Sequence, residues 1–204
     1  KRRSCGYAAR CEAVSKATDA LQACLKRVLS LGCRAQYVLF DSWFTSPVML
    51  SKLREMDLHT VAMVKQSRTL LYRLGDKLCD VKTIYAENCK RRGRSKFLLS
   101  VTAGMSRAAT PDSEEIRLPV KLVFVRKGEK SGRKAKNYLV LASTDTALTE
   151  NEIIQLYGRR WNIEVFFKIS KTLLRFSKES RGISYDAMRA SVAVVFVRYL
   201  ILAW

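Results

Sequence analysis

Tyr157, Arg160, Glu164, Lys168 and Lys171 are spaced so that, at about 100° per residue, they fall in one narrow helical stripe with Trp161 beside it. Ile163, Phe166, Phe167 and Leu174 point the other way. One face of this helix is therefore expected to be buried, while the other presents an aromatic ring, a guanidinium, one carboxylate and two ammoniums. On spacing alone the simpler account is a solvated face laced with ion pairs, because Arg160/Glu164 and Glu164/Lys168 are helical neighbours. A second acid, Asp41, closes the short apolar run 36–40, and parallel-type sheets carry their functional groups at such strand ends. It too has a plain alternative: an aspartate there can cap the next helix, as Ser42, Thr45 or Ser46 ahead of Pro47 equally could.

The elements that must position these residues follow from patterning. Ala13, Ala17, Leu21, Leu25, Val28 and Leu29 recur at helical spacing, predicting an amphipathic helix over about 8–31 that stops at Gly32. A buried strand follows at 36–40, then a helix to about Met56 and a strand at 60–64, just after His59, an isolated imidazole read as structural. Between about 66 and 136, β-rich runs at 96–102 and 116–125, with apolar residues at period two, alternate with basic clusters at 90–94 and 127–134. This predicts an antiparallel β insertion whose basic loops are either simply solvated or grip phosphates. Core character returns at 137–144, and Thr149-Glu150-Asn151-Glu152 opens the next helix with a capping box, the helix being expected to run into Leu173-Leu174. Residues 185–204 are apolar enough to resemble a membrane span, but Arg189 and Arg198 lie inside that segment at a cost of a few kcal/mol each in hydrocarbon. A buried C-terminal helix is expected instead.

With 204 residues, 48% of them hydrophobic, the chain has the material for one domain with a sizeable core, and disorder is not its default. A net charge of +20, spread along the chain and not collected in a tail, fits a broad surface that follows a polyanion, so nucleic acid is the expected partner. No long amphipathic segment with a Lys/Arg-rich polar face points to a membrane surface. The cysteines Cys5, Cys11, Cys24, Cys33, Cys79 and Cys89 contain no Cys-x-x-Cys pair and have one histidine to join them, which argues against zinc. Several are expected to be buried as small hydrophobes, consistent with a reducing, cytoplasmic compartment, and the first residues show no apolar signal-peptide region.

Tyr157, Arg160, Glu164 and Lys171 reproduce the Tyr-x2-Arg-x3-Glu-x6-Lys signature of the insertion-sequence-four branch of DDE transposases, which the chain resembles from about Gln36 onward. The wording Arg160-Trp161-Asn162-Ile163-Glu164 matches, Tyr37-Val38-Leu39-Phe40-Asp41-Ser42-Trp43-Phe44 looks like the family's second aspartate at a strand end, and Leu139-Val140-Leu141-Ala142-Ser143-Thr144-Asp145 looks like its approach to the catalytic helix. The resemblance implies an α/β fold with a ribonuclease H-like catalytic core, formed by residues 1–66 and 137–204 around the β-rich basic insertion at 67–136. It implies metal-dependent DNA cleavage and strand transfer at insertion-sequence ends, in a nucleoid-associated homodimer. Asp41 and Glu164 would be catalytic ligands of Mg²⁺ or Mn²⁺, two ions about 3.5–4 Å apart stabilising the entering and leaving oxygens. Arg160 and Lys171 would hold phosphates of the element end, Tyr157 would bind a phosphate or orient the glutamate, Trp161 would stack on an unpaired base, and Lys168 would extend the same DNA-binding stripe.

The family's first aspartate, on strands preceding the helix at 8–31, has no counterpart, since Asp19 falls within that helix pattern. The chain therefore looks like the C-terminal part of a transposase catalytic region, expected to bind DNA without cutting it alone. The alternatives are a non-catalytic basic DNA-binding remnant of a transposase, which metal-dependent cleavage would exclude, and a membrane-attached basic protein, which partition into the soluble fraction would exclude.

Overall fold

A computed structural model describes residues 6–91, 95–107, 118–127, 138–176 and 184–203. Its elements are α1 (Tyr7–Ala13), α2 (Ala17–Ser30), β1 (Tyr37–Phe40), α3 (Pro47–Arg54), β2 (His59–Met63), β3 (Leu70–Leu74), β4 (Lys77–Cys79), α4 (Val81–Glu87), β5 (Phe97–Arg107), β6 (Leu118–Arg126), β7 (Tyr138–Ser143), α5 (Glu150–Gly158), α6 (Trp161–Thr172) and α7 (Tyr185–Ala203). They divide into two units, one formed by Gln22–Arg159 and the other by Lys1–Leu21 with Arg160–Trp204.

The Gln22–Arg159 unit is built on a seven-stranded sheet in the order β1-β2-β7-β6-β5-β3-β4. The β1–β2 pair is parallel, joined through α3, and every other pairing is antiparallel. Both faces are covered. Leu122 and Phe124 of β6 pack with Leu50 of α3 and Val81 and Ile84 of α4, while Val123, between them, packs with Val61, Leu141 and Ile153 of α5. A strand buried on both sides needs apolar residues in succession, so the period-two pattern expected over 116–125 gives way to three consecutive buried residues at its centre. Tyr85, Phe124 and Tyr138 close the first face, with Tyr85 and Tyr138 stacked at 4.0 Å between centroids.

Local chemistry explains most element boundaries. Gly32 ends α2 at φ 85°, with Cys33 N–H donating to Val28 O at 3.3 Å and Gly32 N–H to Leu29 O at 3.0 Å, the paired bonds of a left-handed helix stop. The capping box of Thr149 and Glu152 opens α5 as the sequence predicts. From β6, Lys121 Nζ donates to Leu148 O at 2.7 Å and pairs with Glu150 Oε1 at 3.1 Å, tying the start of α5 to the sheet. A hydrogen bond from its own backbone N–H, followed by those from Ser100 and Lys121 and the Lys121 charge, holds the Glu150 carboxyl below its usual range.

Several expectations are corrected. The helix predicted over 8–31 is two helices, because Ser15 Oγ donates back to Glu12 O at 2.6 Å and Val14 N–H reaches only to Cys11 O, ending α1. The helix predicted to run into Leu173-Leu174 is likewise divided into α5 and α6. Gly158, a weak helix former, precedes Arg159, whose N–H bonds three residues back to Leu156 O at 3.1 Å. Strands β3 and β4 and helix α4, capped by Asp80 Oδ1 accepting from Thr83 N–H at 2.8 Å, were not anticipated in the insertion. Cys11, Cys24, Cys33 and Cys89 are exposed and Cys79 half-buried, all as free thiols, so the expected burial of cysteines does not hold; Cys5 lies outside the described residues. The basic stretches 92–94 and 128–134 also lie outside them.

In the second unit, Phe166 of α6 meets Phe196 and Tyr199 of α7 at 4.8 and 4.7 Å, and Arg10 of α1 pairs with Asp186 of α7 at 2.9 Å. On α6 the buried side centres on Ser170 with Phe166 half-buried, while Ile163 and Phe167, expected inside, are exposed. The expectation of a buried C-terminal helix also fails: Val197, Leu200, Ile201 and Leu202 are all more than half exposed. Apolar residues run around the whole circumference of α7, so neighbours on one side leave the rest in water. Among the described residues no helix is long and apolar enough to cross a membrane.

Phe124 is fully buried between the aromatic rings and the aliphatic side chains of α3 and α4. Phe124→Ala should cost about 3–5 kcal/mol, read as a lower urea midpoint, whereas Leu202→Ala should stay within about 0.5 kcal/mol of wild type.

Candidate active site

Asp41 follows β1 directly, at the carboxyl end of the parallel pair. Trp43 N–H donates to its Oδ1 at 2.9 Å, folding the loop back onto the carboxylate. The buried Thr45 hydroxyl lies 2.9 Å from Asp41 O and 2.8 Å from Met63 O, so it joins the ends of β1 and β2 and fixes where the aspartate emerges. The capping alternative resolves in favour of Ser46, whose Oγ accepts from Met49 N–H at 3.2 Å with Pro47 in the first turn of α3. Asp41 is exposed, and its second carboxylate oxygen accepts no hydrogen bond from the described residues.

Helix α6 brings Trp161, Glu164, Lys168 and Lys171 together, with Arg160 immediately before it. Arg160 Nη2 donates to Glu164 Oε1 at 2.6 Å, so the first ion pair suggested by the spacing forms, both side chains being partly exposed. Lys168 and Lys171 are exposed, and Trp161 leaves 60% of its surface in water. Tyr157 does not share this helix: it belongs to α5, where it packs beside the cluster of Ile153, Leu141 and Val123. Asp41 and Tyr157 thus lie in the Gln22–Arg159 unit, and the remaining predicted site residues in the other.

A different acid occupies the opposite end of the sheet. Because β7 runs antiparallel to β2, Asp145 emerges beside the amino ends of β1 and β2, where Tyr37 Oη donates to its Oδ2 at 2.6 Å and Ala147 N–H to its Oδ1 at 3.0 Å. The Tyr37 bond holds the Asp145 carboxyl below its usual range, and the same bond, aided by burial, pushes the Tyr37 hydroxyl up to about 12. His59 sits against Tyr37 with ring centroids 5.7 Å apart, in keeping with its structural reading. The Tyr37–Asp145 bond escapes sequence reasoning because its partners stand 108 positions apart. The sequence offers Thr45 only as a helix cap, and its role in joining two strand ends has no local signal.

Among the described residues no group of three or more His, Cys, Asp or Glu side chains could hold a metal ion. Asp41 and Glu164 each retain a carboxylate oxygen not engaged in a hydrogen bond with the described residues, and such oxygens are the donors a hard divalent cation takes.

A family model described as the transposase DDE domain matches residues 5–199. No curated protein matches the chain.

Tyr37→Phe should destabilise the Gln22–Arg159 unit by roughly 1.5–3 kcal/mol, the range for a hydrogen bond to a charged group. The depressed Asp145 carboxyl contributes stability above its unfolded pKa of about 3.9 and loses it as pH falls through the folded value. The raised Tyr37 hydroxyl contributes below about 10 and loses it as pH rises towards about 12. Urea midpoints of wild type and Tyr37→Phe should therefore converge at both pH extremes; a constant gap would show that the bond is not the cause.

Proposed function

Because the chain belongs to the transposase DDE domain family, we propose that it is the catalytic region of a transposase of the insertion-sequence-four branch, cutting phosphodiesters at element ends and joining the freed 3′ ends to target DNA. The family match over residues 5–199 carries this reading. The charge of +20 supports it, since contacts to a phosphate backbone account for most non-specific affinity for DNA. In this reading residues 1–66 and 137–204 form a ribonuclease H-like core, and 67–136 is a basic insertion whose strands β3, β4, β5 and β6 extend the sheet.

Asp41 and Glu164 would hold Mg²⁺ or Mn²⁺ and are assigned as the catalytic carboxylates. When bound, the metal supplies charge stabilisation to the phosphodiester and to the attacking and leaving oxygens. Asp41 suits this role because its free oxygen stands exposed at a strand end that Thr45 holds in place. Arg160 orients Glu164 through the 2.6 Å bond, and its planar guanidinium would contact a phosphate of the element end. Lys168 and Lys171, both exposed on α6, neutralise backbone phosphates, Trp161 offers its exposed indole to an unpaired base, and Tyr157 contacts DNA at the end of α5. The DNA complex would be a homodimer acting at the nucleoid.

Asp41→Asn and Glu164→Gln, assayed in the full-length protein with an element-end duplex and Mg²⁺, should each lower cleavage by at least about 10²-fold, because the metal contributes several kcal/mol and about 1.4 kcal/mol is tenfold. DNA affinity should stay near wild type and fall linearly on a log–log salt plot. Cleavage retained in either variant would sink the assignment of that residue, and DNA binding without metal-dependent cleavage in the wild type would make the chain a binding module.

A further inference from the structure

The loops after β1 and β2 border an open cavity of about 440 Å³ lined by Ser42, Trp43, Ser46, Lys65, Ser67 and Thr69, among others. We infer that this cavity is a subsite for one nucleotide of unpaired DNA, with the base stacked on Trp43 and its phosphate held by Lys65 and the hydroxyls around it. The inference rests on the reading of the chain as a DNA-acting protein and names what lies next to Asp41.

Trp43 is 79% exposed, the most exposed of the large aromatic side chains described. The loop fixes the backbone that carries the ring: the Trp43 N–H is committed to Asp41 Oδ1, and Thr45, two residues on, is anchored to both strand ends. Holding so large an apolar ring in water is unfavourable, so a ring fixed there by its backbone is ready to be covered by a flat partner. The polar lining fits the other half of a nucleotide. Lys65 is exposed and makes no ion pair with the described residues. Ser67 Oγ and Thr69 Oγ1 bond each other at 2.7 Å, which uses one of their two protons and leaves the other for a phosphate oxygen. The volume falls in the range of ligand pockets, roughly 300–1,000 Å³. A base within a duplex is already stacked on both faces, so the indole selects an unpaired one. Since Trp43 lies two residues after the proposed metal ligand, the nucleotide would flank the phosphodiester being cut.

The test compares the full chain's affinity for a blunt duplex with that for the same duplex carrying a short single-stranded overhang that contains 2-aminopurine. Wild type should bind the overhang duplex more tightly and quench the 2-aminopurine. Trp43→Ala should weaken overhang binding roughly tenfold and abolish the quench, as expected for the loss of one stacked base. Blunt-duplex affinity should change less than about twofold, and Trp43→Phe should restore most of the preference. Lys65→Gln should weaken the overhang complex more than the blunt one. An unchanged melting temperature for Trp43→Ala, expected of so exposed a side chain, separates loss of contact from unfolding. If wild type binds DNA but Trp43→Ala leaves the overhang preference and the quench intact, this inference falls and the proposed function stands. If wild type binds neither duplex, both fall.

Discussion

A sheet whose central strands bury side chains on both faces must be covered from both sides, and that requirement governs the Gln22–Arg159 unit. Leu122 and Phe124 of β6 need α3 and α4, and Val123 between them needs α5. Once both faces are occupied, the strand ends are where side chains still reach water while their backbone remains fixed by the ladder. Lys121 extends this control to α5, because its bond to Leu148 O and its pairing with Glu150 set where the helix starts on the sheet. The pairing is largely withdrawn from water, so removing either partner would leave the other unpaired at a cost beyond that of an exposed ion pair.

Two aspartates follow strands of this sheet, at opposite strand ends, and their hydrogen bonds separate their chemistry. Asp145 has both oxygens engaged, by the Tyr37 hydroxyl and the Ala147 N–H, which stabilises it as a fixed anion and leaves little capacity for a ligand. Asp41 has one oxygen engaged by Trp43 N–H and the other open. A metal ion could take that open oxygen without breaking an existing bond, whereas at Asp145 it would have to displace a 2.6 Å hydrogen bond. Within one fold, the same residue type is thus a brace at one end of the strands and a candidate ligand at the other.

What could be read from the sequence is mostly what side chains do to backbone within four residues. Gly32 as a helix stop, Pro47 in the first turn of α3 and the Thr149/Glu152 capping box are all of this kind, as is Asp41 at the end of an apolar run. Even at short range, weak signals mislead: Ser15 ends α1 through a single hydroxyl bond, and the αα boundary after Gly158 interrupts an apolar periodicity that continues unbroken in sequence. Long-range contacts were not legible at all. The Tyr37–Asp145 bond and the Lys121 anchor depend on strand order, and the antiparallel pairing of β7 with β2 has no local signature. The exposed apolar surface of α7 departs from expectation for the related reason that hydropathy reports a preference for burial and not the presence of a neighbour.

The Arg160–Glu164 pair shows why a stripe can be an ion-paired surface and a candidate site at once. A helical pair four residues apart and partly exposed is worth only about 0.3–0.5 kcal/mol, so it barely stabilises the helix. A phosphate engaged by a guanidinium gains charge-assisted bonds that are roughly twice as strong as neutral ones, and the five donors of arginine allow it to keep one contact while making others. Giving up the pair with Glu164, or sharing the fork between Glu164 and a phosphate, would therefore cost α6 little. The cost falls on the carboxylate instead: if the guanidinium leaves, Glu164 Oε1 loses its 2.6 Å partner and is open to a cation. Under the proposed function, a phosphate at Arg160 and a cation at Glu164 would favour each other, because each would remove a competitor of the other.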